Sequence, residues 1–255
     1  MRFETTTSGD GTTIAYEVEG EGPPIVLIGG AFNTRQMAAG VAAELADRFT
    51  TYRFDRRGRG DSGDTSPYAV EREVEDVAAL VEAAGGSAAV YGHSSGAILA
   101  LRAAAAGLPL TSVVAYEPPY GVEGEDDDPA LWPDIDAALA AGDRRAAARR
   151  FLAGAGAPAE WLDSMDDAAW APFEALAHTL PYDHALTGDE GPHAELAEIS
   201  VPILVVVGGN SPEFFGVAAR TIVELVPGAE LRELAGRDHG VPDDVVAPVI
   251  AAFLA

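Results

Sequence analysis

Cysteine and lysine are both missing from this 255-residue chain. Without cysteine there can be no disulfide, no thiolate nucleophile and no Cys-ligated metal. Without lysine there is no Schiff-base chemistry, no pyridoxal-phosphate attachment and no P-loop lysine; all 16 basic residues are arginine. Basic residues are also scarce, 16 against 41 acidic ones, for a formal charge of −25. A surface that negative repels phosphate backbones and anionic headgroups, so no nucleic-acid or membrane partner is expected, and a small-molecule substrate is. Long apolar runs are lacking too: VPILVVV at residues 201–207 is strand-sized and too short to cross a bilayer. The opening MRFETTTSGD has no basic segment followed by an apolar stretch, so no signal peptide is read and the cytoplasm is the default compartment.

The chain does have enough apolar material for a large core, at 48% hydrophobic residues. Its length suits one α/β domain, alone or with an inserted lobe. Residues 3–7 and 13–19 alternate around the turn-rich Ser8-Gly9-Asp10-Gly11 and predict a hairpin. Apolar strand-like runs follow at 24–28, 51–54, 87–91, 111–116, 201–207 and 229–234. Helical periodicity marks 34–49, 68–84, 95–106, 216–226 and 241–254. That alternation predicts an α/β fold: a mostly parallel twisted sheet with helices on both faces, after an antiparallel start. The rhythm breaks between 121 and 200, where all three tryptophans fall and short helices are expected without a strand. Residues 1–120 and 201–255 are therefore read as the core, and 121–200 as a helical cap over the carboxyl edge of the sheet, where α/β sheets bind ligands.

The chemistry gathers at "GHSSG", residues 92–96, a G-x-S-x-G between a predicted strand and a predicted helix. In that context the glycines let the strand turn steeply into the helix, and Ser94 projects from the turn at the sheet's edge. The helix N-terminus supplies unpaired N–H groups and a positive dipole end suited to a developing oxyanion. A serine hydroxyl needs a base. Of the five histidines, His239 lies in a Gly- and Pro-bounded loop after the last predicted strand, and so reaches the same edge. His93 occupies the x position of the turn, while His178, His184 and His193 fall in the insertion with no zinc-site spacing.

With these features the chain resembles the α/β-hydrolase superfamily over nearly its whole length. The likeness includes "FDRRGRGDSG" after the fourth strand, the serine turn and the terminal histidine loop. It implies an oxyanion hole made by the backbone N–H groups of Ala31 and Ser95. It also exposes a departure: where the family most often carries its catalytic aspartate, after 201–207, this chain has Ser211. Some members carry the acid one strand beyond the nucleophile's, which here is Glu117; the order Ser94, Glu117, His239 fits the family's chain order. Glu213 and Asp238 are the rival acids. The resemblance implies a cofactor-free serine hydrolase of carboxylic esters, lactones or thioesters. A non-hydrolytic enzyme on the same scaffold, of lyase or cofactor-free peroxidase type, or a ligand-binding member without catalysis, stays open as an alternative.

Other patterns carry less. Gly58-Arg59-Gly60-Asp61-Ser62-Gly63 is a literal G-x-G-x-x-G, but four residues separate it from the next helix, so no dinucleotide is expected. Its arginines Arg56, Arg57 and Arg59 against Asp61 and Asp64 suggest a salt-bridged structural loop. "EGEDDD" at 123–128 bunches its carboxylates where a calcium loop would alternate them, and reads as a solvated entry to the insertion. Phe32, His93, Trp132, Trp161, Trp170 and His178 are candidate substrate contacts, of which one or two are expected to touch a ligand. Oligomeric state is not legible.

Overall fold

The computed structural model describes residues 1–121, 128–188 and 194–255. Most of the acidic run at 123–128 and His193 lie outside the described residues. Eight strands form one sheet: β1 (Arg2–Thr7), β2 (Thr13–Glu19), β3 (Pro24–Ile28), β4 (Thr50–Phe54), β5 (Ala88–His93), β6 (Leu110–Tyr116), β7 (Ile203–Gly208) and β8 (Glu230–Leu234). Their spatial order is β1-β2-β4-β3-β5-β6-β7-β8. The pairs β1/β2 and β2/β4 are antiparallel and every other pair is parallel. This is the mostly parallel sheet with an antiparallel start that the sequence predicts.

Strands covered on both faces must be apolar on both faces. Along β3, Val26 and Ile28 join one core cluster while Ile25 and Leu27 join the other; β6 divides in the same way, Val113 and Ala115 against Val114 and Tyr116. Helices α2 (Val70–Ala83), α3 (Ser95–Ala105) and α9 (Glu213–Leu225) supply Leu80, Ile98 and Ile222 to the first cluster. Helices α1 (Ala39–Leu45) and α10 (Asp243–Phe253) supply Leu45 and Ile250 to the second. β8 closes the sheet as an exposed edge whose ELREL sequence carries charge, which discourages further strand pairing.

The helix expected over 34–49 is shorter. A single 3-10 turn at Arg35–Ala38 precedes α1. The helix passes so close to α10 that a Cβ on Gly40 would lie 1.8 Å from Asp243 Oδ2.

Between β6 and β7 the described chain runs through α4 (Leu131–Ala140), α5 (Arg144–Gly154), α6 (Ala159–Ser164), α7 (Asp167–Leu176) and α8 (Leu180–Thr187). These helices hold their own hydrophobic cluster, built on Ile135, Ala147, Leu162, Trp170 and Leu180. Phe32, from the loop after β3, packs against it. Among the described residues, no helix is long and apolar enough to cross a membrane.

Candidate active site

Three non-glycine residues adopt positive φ among the described residues: Phe32 at 56°, Ser94 at 57° and Glu117 at 46°. They follow β3, β5 and β6, three adjacent strands, at their carboxyl ends. Such a backbone costs about 1–3 kcal/mol per residue and persists only where the surroundings enforce it. Its confinement to one edge of the sheet marks that edge out.

At Ser94 the enforcement is steric. A Cβ on Gly92 would lie 2.3 Å from the carbonyl oxygen of Gly96, and one on Gly96 would lie 2.5 Å from that of Ile28. Only glycine at both positions lets β5 turn into α3 with Ser94 at the apex. The Ser94 N–H donates to the Tyr116 carbonyl (2.9 Å), tying the apex to β6. Gly30 lies alongside: a Cβ there would sit 2.8 Å from Ser94 Cβ and 3.3 Å from its Oγ.

Glu117 is fully buried. Its Oε2 accepts from His239 Nδ1 (2.6 Å), and its Oε1 accepts from the Gly208 N–H (2.6 Å) and the Ser211 hydroxyl (2.5 Å). Burial works to raise the pKa of this carboxyl. The hydrogen bonds from His239, Ser211 and Gly208 prevail and hold it below the ordinary carboxylate value. Ser211, at the position where the sequence departs from the family's common acid, therefore serves as a hydroxyl donor to a carboxylate supplied by the neighbouring strand. Neither rival acid makes this contact. The Asp238 carboxylate accepts from the Gly240 N–H, and Glu213 opens α9 without a bond to His239.

An ionised carboxylate can only accept, so in the neutral imidazole the Glu117 bond favours the tautomer with its proton on Nδ1 and its lone pair on Nε2. Packing fixes the ring as well. Phe215 stacks on it (4.9 Å between centroids, 17°), and His93 lies 4.7 Å away. The loop carrying His239 is tied back to the sheet twice: His93 Nε2 donates to the His239 carbonyl (2.9 Å), and the Tyr116 hydroxyl donates to the Asp238 carbonyl (2.6 Å). Burial and the neighbouring His239 depress the His93 pKa to about 4, so it remains a neutral donor. His239 itself is 40% exposed at its side chain, open to solvent or ligand.

The arginine-rich loop departs from the expected pairing. Arg56 and Arg59 do not meet Asp61 or Asp64. Arg56 grips Glu73 (2.6 and 2.7 Å) and reaches Asp183 (2.8 Å); Arg59 binds both oxygens of Asp183 (2.9 and 2.8 Å). Arg57 pairs with Asp76 and Asp10, Asp61 with Arg35, and Asp64 accepts from the Tyr182 hydroxyl. The loop is salt-bridged, but mostly to distant elements: Glu73 and Asp76 in α2, Asp183 in α8 and Asp10 in the turn between β1 and β2. Asp183 in α8 was invisible as a partner: it lies over a hundred residues away in the chain, on a separate helix.

The candidate substrate contacts disperse. Phe32 adjoins Ala31 and meets Phe151 and Phe173 edge-on (5.5 and 5.2 Å). Trp132 stacks on His184 (4.1 Å). Trp161 is 45% exposed, and Trp170 is 3% exposed inside the insertion's core. His178 Nδ1 is buried without a hydrogen-bond partner among the described residues. Those residues hold no group of three or more His, Cys, Asp or Glu able to bind a metal.

The chain belongs to the alpha/beta hydrolase family, whose match runs over residues 25–252. It is 28% identical over 250 residues to the 2-(acetamidomethylene)succinate hydrolase of Mesorhizobium japonicum, covering 93% of this chain and 88% of that protein. Among solved structures, an alpha/beta hydrolase from Sphaerobacter thermophilus superposes with a TM-score of 0.92 at 48% identity, over 99% of this chain and 100% of the other. An esterase from a Rhodococcus species superposes with a TM-score of 0.77 at 26% identity, over 100% and 99%.

Proposed function

We propose that this protein is a serine hydrolase of carboxylic esters, lactones and thioesters included, working through an acyl-enzyme with Ser94, His239 and Glu117 as its catalytic groups. The observation that carries the reading is the 2.6 Å bond between His239 Nδ1 and a buried, ionised Glu117, at the sheet edge where Ser94 stands on a strained turn. His239 Nε2 takes the Ser94 proton as Oγ attacks the ester carbonyl. The carbonyl oxygen becomes an oxyanion held by the backbone N–H groups of Ala31 and Ser95, donors that stabilise charge only as it develops. Collapse expels the alkoxide, which receives the proton from His239 and leaves as the alcohol. Water then enters, gives its proton to His239 and attacks the acyl carbon, and the acid departs with Ser94 restored.

Glu117 stabilises the imidazolium formed in both steps, at no desolvation cost during the reaction because it is already ionised in place. No cofactor is needed for any of these transfers. Phe32, next to Ala31 and leaning on the insertion's aromatic side chains, is the substrate contact we favour.

Turnover of p-nitrophenyl acetate tests the reading. The wild-type protein should release nitrophenolate, and Ser94→Ala should retain none of that activity above the background of a denatured sample. A folded wild-type protein inert toward this ester and toward a panel of lactones and thioesters would contradict it; turnover that survives Ser94→Ala would remove Ser94 from the mechanism.

A further inference from the structure

We infer that Asp183, from the inserted helix α8, and Arg59 are positioning residues for the oxyanion hole: a single buried carboxylate is bonded to one half of it directly and to the other through Arg59. The inference rests on the ester-hydrolase reading, because it concerns the Ala31 and Ser95 N–H donors. On one side, Asp183 Oδ1 accepts from the Ser95 hydroxyl (2.7 Å), fixing the residue that starts α3 and carries one donor. On the other, Asp183 holds Arg59 through both oxygens, and Arg59 Nη1 donates to the Gly30 carbonyl (2.6 Å).

That carbonyl belongs to the same peptide unit as the Ala31 N–H. In a planar trans peptide the two groups point in opposite directions, so a guanidinium anchoring the Gly30 oxygen sets the direction of the Ala31 N–H. A cation on the oxygen also polarises the unit and strengthens its N–H as a donor. Arg56 adds a bond to the Ser95 hydroxyl (3.1 Å) and another to Asp183 (2.8 Å). Arg56, Arg59, Ser95 and Asp183 are each no more than 2% exposed, so water does not compete for these bonds. The insertion thereby reaches the reaction centre through α8: where Asp183 sits decides where both donors point.

Arg59→Lys is the discriminating variant. It keeps a cation beside Asp183, but a single ammonium cannot hold two carboxylate oxygens and the Gly30 carbonyl together. Active sites are counted by fluorophosphonate labelling and kcat for p-nitrophenyl acetate is expressed per labelled site. Trifluoroacetone, whose Ser94 hemiketal carries an oxyanion, is the inhibitor. Losing one oxyanion donor outright costs about 100–1000-fold, so misaiming it should lower kcat per site by about tenfold or more. The trifluoroacetone inhibition constant should rise by a similar factor, with KM within about twofold of wild type, the pattern of an interaction made only in the transition state. Ser95→Ala, which removes no charge, should show a smaller loss of the same kind.

Unchanged kcat per labelled site and unchanged inhibition in folded Arg59→Lys would overturn the inference, as would a loss confined to the number of labelled sites. If instead wild type neither labels nor turns over ester, the hydrolase reading itself falls, and this inference with it.

Discussion

Two buried carboxylates, Glu117 at the end of β6 and Asp183 in α8, differ in what compensates them. Glu117 meets a backbone N–H, a hydroxyl and an imidazole. Asp183 meets two guanidinium groups and a hydroxyl. Around Asp183 the charges balance locally, Arg56 and Arg59 against Glu73 and Asp183, and arginine keeps its proton throughout. Around Glu117 the donors are a backbone N–H, a hydroxyl and an imidazole, and of these only the imidazole can take up a further proton. The first arrangement is a fixed strut and the second a charge that responds to a proton. Burial opposes ionisation at both carboxyls and is overcome differently: at Asp183 by the charges of Arg59 and Arg56, at Glu117 by hydrogen bonds from His239, Ser211 and Gly208, which suits Glu117 to a partner whose charge changes.

The comparison is sharpest in Glu117→Gln. The amide can still accept from Gly208 and Ser211 through its oxygen, which turns its NH2 toward His239 Nδ1. That favours the tautomer protonated on Nε2, with no lone pair for Ser94. We expect kcat for ester hydrolysis to fall by about a thousand- to ten-thousandfold while the melting temperature changes little. Asp183→Asn should show a large loss of stability as well: removing one charge from a buried, paired set typically costs about 3–5 kcal/mol, read as a lower denaturant midpoint. If Asp183→Asn leaves stability intact, or Glu117→Gln leaves rate intact, the division of labour is wrong.

His93 supplies a pH test. Its pKa is depressed from the ordinary 6.5 to about 4, so it favours the folded state fully above pH 6.5. As pH falls from 6.5 toward 4 the unfolded chain binds a proton that the folded one refuses, and about 3 kcal/mol of stability is lost. Chemical denaturation across that window should be visibly flatter in His93→Gln than in wild type, relative to each protein's value at neutral pH. Glu117 has the same sign: its depressed pKa adds stability above the ordinary carboxylate value and loses it as pH falls further. The smallest effect is expected from Ser211→Ala. Losing one of three donors should raise the Glu117 pKa, shift the acid edge of kcat/KM upward and lower the plateau by less than about tenfold. An unshifted edge would mean that Ser211 does not tune Glu117.

Much of the architecture was legible because it is local. Buried parallel strands are continuous apolar runs, as in VPILVVV, and the glycines around Ser94 mark a turn that no other residue could make. The chain order of Ser94, Glu117 and His239 is equally a property of the string. What could not be read was partnership across space. The arginines of residues 56–59 are conspicuous, but their partners Glu73 and Asp76, Asp10, and Asp183 come from three separate segments. Ser211 stood out only as a missing acid, since nothing local tells that its hydroxyl faces Glu117. Likewise, the positive φ of Phe32 and Glu117 carries no residue signature, because neither is a type that favours that conformation.

The most direct test of the account is intact-protein mass spectrometry after brief exposure to a fluorophosphonate, followed by peptide mapping. A single adduct per chain is expected, on Ser94, formed far more slowly in Glu117→Gln and not at all in Ser94→Ala. A folded wild-type protein that takes up no label where a known esterase does, or that carries it on another residue, would contradict it.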